Sequence, residues 1–198
     1  MKIDSGTGNG KSVKIDDQNR MYVDAITFNR AEEEVERGNG YNINTGVINL
    51  TSANKSAVLY MKNNEDYPLV IAALFYMWGT STGGTGDVLV TMLRNPSTGT
   101  IVSNAVAAEM AGVNRNFGSN KSLSADIYKG AEGNTFTNGD KVIESLLDQG
   151  ARRTVLTVGD VVIPKGSSLG IDITPATGNT SLDVEFAFSC FIDTTHNL

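Results

Sequence analysis

Between residues 182 and 192 apolar and polar side chains alternate one by one. Leu182, Val184, Phe186, Phe188, Cys190 and Ile192 fall on one side of an extended chain, and Asp183, Glu185, Ser189 and Asp193 on the other. A period of two marks a strand with one face on a core and the other on water. Leu169, Ile171 and Ile173 repeat the pattern after Pro164-Lys165-Gly166, where Pro fixes φ and Gly accepts the positive φ that a type II turn requires. Residues 69–78 depart from it. Leu69, Ile71, Ala73, Phe75 and Met77 on one side and Val70, Ala72, Leu74, Tyr76 and Trp78 on the other are all apolar, so both faces of that strand need cover, and another subunit is an expected source of it.

Short apolar segments at 47–50, 57–61, 87–93, 122–128, 142–147 and 154–163 complete a set of nine separated by turn signals, with the Gly-rich stretch 79–86 predicted as a flexible connection. Nine such segments are close to two four-stranded sheets, and they predict an all-β antiparallel sandwich or barrel over residues 45–198. Only 31–37 and 104–113 invite a helix. Residues 1–44 carry too few apolar positions for a core of their own and read as an extended N-terminal arm that lies on a partner. Within it Tyr22, Ile26 and Phe28 share one face, with Met21 adjacent and Arg20 and Arg30 flanking, ready to bond carboxylates or carbonyls. These six are the expected attachment residues; Phe75, Tyr76 and Trp78 are the expected subunit interface.

Composition narrows the possible functions. Gly, Asn and Thr supply 59 of the 198 residues, a bias toward turns and strands, while 40% hydrophobic residues exclude disorder along the whole chain. A net charge of -6 repels phosphate backbones and anionic membranes, so neither nucleic acid nor membrane is an expected partner. The opening MKIDSGTGNGK has no apolar core of a signal peptide and the longest apolar run is too short to span a bilayer, which predicts synthesis in the cytoplasm.

Candidate chemistry is thin. Ser5-Gly6-Thr7-Gly8-Asn9-Gly10-Lys11-Ser12 ends like a phosphate-binding loop, but Ser5 stands where the first glycine belongs and Val13-Lys14-Ile15-Asp16 reads as extended, not helical. His196, the only histidine, lies in a polar tail with no core to orient it as a base. Cys190, the only cysteine, sits on an inward strand face, where a thiol behaves as a small hydrophobe. Asn63-Asn64-Glu65-Asp66 offers oxygens without the spacing of a calcium loop and reads as a turn before Pro68. Glu32, Glu33, Glu34 and Glu36 read as a solvated face. No catalytic residue, metal or cofactor is expected.

The turn sequences carry a resemblance. Tyr41-Asn42-Ile43-Asn44-Thr45-Gly46-Val47-Ile48-Asn49-Leu50-Thr51, Lys62-Asn63-Asn64-Glu65-Asp66, Ser81-Thr82-Gly83-Gly84-Thr85-Gly86-Asp87, Asn114-Arg115-Asn116-Phe117-Gly118, Lys129-Gly130-Ala131-Glu132-Gly133 and Pro164-Lys165-Gly166-Ser167-Ser168-Leu169-Gly170-Ile171 are similar to those of tailed-bacteriophage virion proteins of the capsid decoration, or cement, type. The resemblance implies a jelly-roll-like subunit, commonly trimeric, on the outer surface of the head, with the major capsid protein and further copies of itself as partners. The alternative is a carbohydrate- or receptor-binding module of a phage tail fibre or spike, with Tyr76 or Trp78 exposed as a stacking platform.

Overall fold

The computed structural model describes residues 29–103, 108–148 and 154–195, with side chains for all of these except 76–80, 108 and 154–160. Two antiparallel sheets pack face to face as a sandwich. In chain order the elements are a helix α1 (Arg30–Glu36), then β1 (Gly40–Asn44), β2 (Ile48–Leu50), β3 (Ser56–Asn63), β4 (Leu69–Thr85), β5 (Asp87–Arg94), a single 3-10 turn (Thr100–Val102), β6 (Ala108–Glu109), β7 (Val113–Asn114), β8 (Ala125–Lys129), β9 (Asp140–Asp148), β10 (Thr154–Ile163), β11 (Ser168–Thr174) and β12 (Thr177–Ile192). The first sheet runs β10-β4-β12-β1-β7, with β2 also on β12, and the second runs β6-β8-β3-β11-β5-β9.

The pairing is nested. Early strands β1 and β2 meet the last strand β12, β3 meets β11, β4 meets β10, and β5 meets β9. The main core fills the space between the sheets. All six inward residues of the 182–192 alternation are buried in it, facing Leu59, Met61, Val90, Ile127 and Ile171 among others. Each large apolar side chain so removed from water contributes roughly 1.5–3 kcal/mol, which is why the apolar face of this strand turns to the core.

Residues 95–102 and 130–139, which bond each other, pack on the outer face of the second sheet, where Ile101 and Phe136 make a smaller core with Ala57, Tyr60 and Leu93, and Tyr128 stacks on Tyr60 at 5.8 Å. Phe136 lies so close to β11 that a Cβ at Gly170 would come within 2.6 Å of its ring, so a glycine is required there. At the Pro164 turn, Ser167 N–H donates to the Pro164 carbonyl and Gly166 sits at φ 77. Gly therefore occupies the position expected of it, while Lys165 rather than Pro164 takes the corner before it.

Four expectations change. The Gly-rich stretch 79–86 is mostly strand: β4 continues to Thr85 and pairs along the start of β12, Thr82 with Ser181 and Thr85 with Thr177, because a backbone ladder needs no apolar side chains. The helix expected at 104–113 gives way to β6 and β7 at 108–109 and 113–114; residues 104–107 lie outside the described residues. The boundary expected at residue 44 falls inside the sandwich, since β1 lies between β12 and β7 and buries Tyr41 and Ile43 in the main core. The expected arm is not extended throughout: its stretch 31–37, which invited a helix, is helical as α1 from Arg30 to Glu36. That helix packs on β1 and β12, and the row Gly40, Phe191 and Val70 is buried, so at this end the second face of the first sheet is covered from within the chain.

Candidate functional site

The helix end of the sandwich is organised around one carboxylate. Asn29 starts α1 by accepting the Ala31 N–H on its side-chain oxygen at 3.1 Å, and Glu32 and Glu33 sit where the positive end of the helix dipole favours them. Glu34, expected on a solvated face with its neighbours, is 1% exposed. It accepts hydrogen bonds from Asn39 Nδ2 at 2.6 Å, from the Thr194 hydroxyl at 2.7 Å and from the Thr194 N–H at 3.2 Å. Arg30 reaches the same chain end. Its guanidinium pairs with Asp193 and donates to the Thr195 hydroxyl at 2.8 Å. Asp193, placed by the alternation on the outer face, is buried just past the end of β12. Burial raises its pKa, but the hydrogen bond from Thr195 and the Arg30 guanidinium outweigh that and hold the carboxyl below its ordinary value.

Beside this clamp, residues 113–121 form a loop locked by its own amides. Asn114 Nδ2 donates to the Gly38 carbonyl at 2.8 Å and the Lys121 carbonyl at 3.0 Å, and Asn114 Oδ1 accepts the Asn116 N–H at 2.9 Å. Asn116 in turn donates to the Glu36 carbonyl at 2.8 Å and accepts the Gly118 N–H at 3.0 Å. Lys121 Nζ closes the loop on the Arg37 carbonyl at 2.9 Å and Asn39 Oδ1 at 2.8 Å. On this scaffold Phe117 is 99% exposed and Val113 is exposed beside it. An apolar ring held in water by a rigid loop is prepared for a contact, because its ordering cost is met before any partner arrives.

No protein-family model and no curated protein matches this chain.

Across the first sheet from that loop, where β9 and β10 form the facing edges of the two sheets, an open cleft of about 330 Å³ enters between them. Met92, Val142, Val161, Ile163 and Leu169 line it, and Arg94 at its rim pairs with Asp140 at 2.7 Å. Val142, Leu146 and Val162 along these edges are exposed.

Of the expected attachment residues, Arg20, Met21, Tyr22, Ile26 and Phe28 lie outside the described residues. Arg30 is described, and it binds within its own chain as above. Phe75 is half-buried on β4 opposite Ala187; Tyr76 and Trp78 are paired in the backbone ladder with Phe186 and Val184, and their side chains lie outside what is described. The phosphate-loop look-alike and His196 also lie outside the described residues. Cys190 is buried, and burial pushes its thiol up to about 12, so it stays protonated at neutral pH and is a poor nucleophile.

The side chains of the 63–66 turn serve the fold. Asn63 bonds the Ile163 and Tyr67 carbonyls, Asn64 bonds Asp126, Glu65 accepts the Ser124 N–H, and Asp66 pairs with Lys165 at 2.5 Å. Among the described residues no group of three or more His, Cys, Asp or Glu is placed to hold a metal ion. Sequence reading quoted the Asn114–Gly118 turn only for its resemblance and passed over Phe117. The available signal was an aromatic residue set among Asn, Gly and Ser, which a turn exposes by default.

Proposed function

We propose that the chain is a non-enzymatic virion structural protein of a tailed phage, a capsid decoration protein seated on the outer head surface. The observation that carries this reading is the locked 113–121 loop with Phe117 in water, a surface suited to binding a partner. The nested pairing of strands supports the finer description of the sandwich as a jelly roll, an architecture frequent in viral capsid and lectin domains.

On this reading the partners are the major capsid protein and further copies of the chain in a homotrimer. Arg20, Met21, Tyr22, Ile26 and Phe28 are the proposed shell contacts, and the Glu34 and Arg30 clamp holds the start of α1 to the end of β12. Interface spread across capsomer junctions must be broken before the shell opens, and in that way the protein resists internal pressure. Electron cryomicroscopy of the virions whose genome encodes the chain tests the proposal: density for the sandwich on the outer head is the expected result, and density confined to the tail, or absence from the particle, overturns it.

The exposed Phe117 ring favours one second reading, a glycan-binding module of a tail fibre or spike, since an accessible aromatic face can stack a sugar. Saturable binding on a glycan array that is lost in Phe117→Ala would select it.

A further inference from the structure

The start of β4 is apolar on both sides, and among the described residues its two sides are covered unequally. Ile71 and Leu74 point inward and lie in the main core. On the outward side the cover stops part-way along the strand. Val70 and its partner Phe191, beside α1, are 5% exposed. Val162, opposite Val70 on β10, is 54% exposed. Further along, Ala73 and Phe75 of β4 and their partners Ser189 and Ala187 of β12 are half-buried. Across β10 the same rows stay apolar in sequence, with Val158 paired to Ala73 and Leu156 to Phe75. An apolar strip of this kind on a sheet face calls for an occupant.

We infer that residues 21–28 of the same chain cover this strip, with Phe28 at the Val70 and Val162 end and Tyr22 toward Phe75. Position selects this segment first. The chain enters α1 at Arg30, which pairs with Asp193, and Asp193 N–H donates to the Pro68 carbonyl just ahead of β4. The residues before Arg30 therefore start at the β4 end of the strip, and α1, continuous with them, already lies on this face with Val35 against Gly40 in the row Gly40, Phe191 and Val70. Composition agrees. Six of the eight residues 21–28 are apolar, Met21, Tyr22, Val23, Ala25, Ile26 and Phe28, against four of the twenty before them. Length agrees as well, since Val70 to Phe75 is about 17 Å of strand and residues 22–28 reach about 20 Å when extended. A segment tethered at Arg30 meets the strip at an effective concentration on the order of millimolar, which favours it over a separate partner. The inference goes beyond the proposed function and does not rest on it: it places Tyr22, Ile26 and Phe28 in the chain free of a shell, and a shell contact would have to draw them off the sheet.

The test uses the full-length chain in solution. A cysteine reporter, Val162→Cys, reads the cover, and the native Cys190 is buried and does not compete. Its alkylation by a maleimide is expected to be slower by about tenfold or more than in the same variant with Tyr22→Ser, Ile26→Ser and Phe28→Ser added, the ratio for a face covered nine-tenths of the time. Unchanged far-ultraviolet dichroism shows that the combined variant folds. Equal rates in the two folded proteins overturn the inference.

A short bismaleimide then reads which chain supplies the cover. Phe28→Cys and Val162→Cys in one chain are expected to cross-link within that chain, giving a product that still runs at 21.1 kDa under denaturing conditions. If instead the product joins two chains, and a mixture of the two single variants yields the same pair, the face belongs to a second copy and the inference is wrong.

Discussion

The two edges of the first sheet solve the same problem in opposite ways. An edge strand exposes unpaired backbone groups and must be covered or blunted. At the β7 edge, polar side chains do this: Asn114, Asn116 and Lys121 bond the carbonyls of Gly38, Glu36 and Arg37, so the loop and the end of α1 satisfy each other. At the β10 edge the facing strands leave an apolar gap lined by Val161, Ile163 and Leu169. The difference teaches that rigidity and apolar exposure are separately built here. One edge uses its amides to hold the Phe117 loop in place, and the other keeps an apolar cleft.

The largest expected effect comes from breaking the polar clamp beside the locked edge. Glu34→Ala removes an acceptor from the buried Asn39 amide and from both donors of the half-buried Thr194, and is expected to cost about 3 kcal/mol in urea unfolding. Glu34→Gln keeps one acceptor oxygen and should lose less. A wild-type midpoint in Glu34→Ala would return this residue to the solvated face that its charged neighbours predicted.

Next in size is the gap. Leu169→Ala deletes buried methyl groups at the cleft and is expected to cost about 2–3 kcal/mol, the lower part of the range for such truncations because water can enter the enlarged space. A loss equal to that of Leu182→Ala, in the closed part of the core, would mean that the cleft is not open in solution.

Asn114→Ala should cost about 1–2 kcal/mol, since it leaves the Gly38 carbonyl only the long bond from the Tyr41 hydroxyl and removes the donor to the Lys121 carbonyl. Amide hydrogen exchange should rise at Asn116 and Gly118 and stay unchanged in β9 and β10; a uniform rise would show that the loop is not an independent unit.

The smallest effect is that of acid on the clamp. The folded Asp193 carboxyl has a pKa below its unfolded value near 3.8, so its contribution is fully present above about pH 4 and is lost as pH falls through the folded pKa. The stability gap between the wild type and Asp193→Asn, present at pH 6, should therefore close below pH 4. A gap that persisted at pH 2.5 would assign the effect to shape and not to charge.

Much of the architecture was legible because burial has a period. The alternation at 182–192 and 169–173 identifies β12 and β11 and their inward faces, and the acidic stretch before Gly38 locates α1 to within a residue. Polar ladders were less visible: the extension of β4 to Thr85 rests on backbone bonds that leave no mark on side-chain hydropathy. The site was less legible again. Glu34 has the same side chain as Glu32, Glu33 and Glu36, and only the arrival of Thr194, some 160 residues later in the chain, makes it an internal ligand.

By itself, then, the sequence determined an all-β sandwich, the faces of its regular strands and the burial of Cys190, since each follows from local periodicity and the cost of leaving apolar surface in water. Tertiary structure alone decided that residues 40–44 belong to the sandwich, that Arg30 meets Asp193, and that Thr194 and Asn39 converge on Glu34. Those facts depend on which distant strands become neighbours, and strand order is set by the packing of the whole chain.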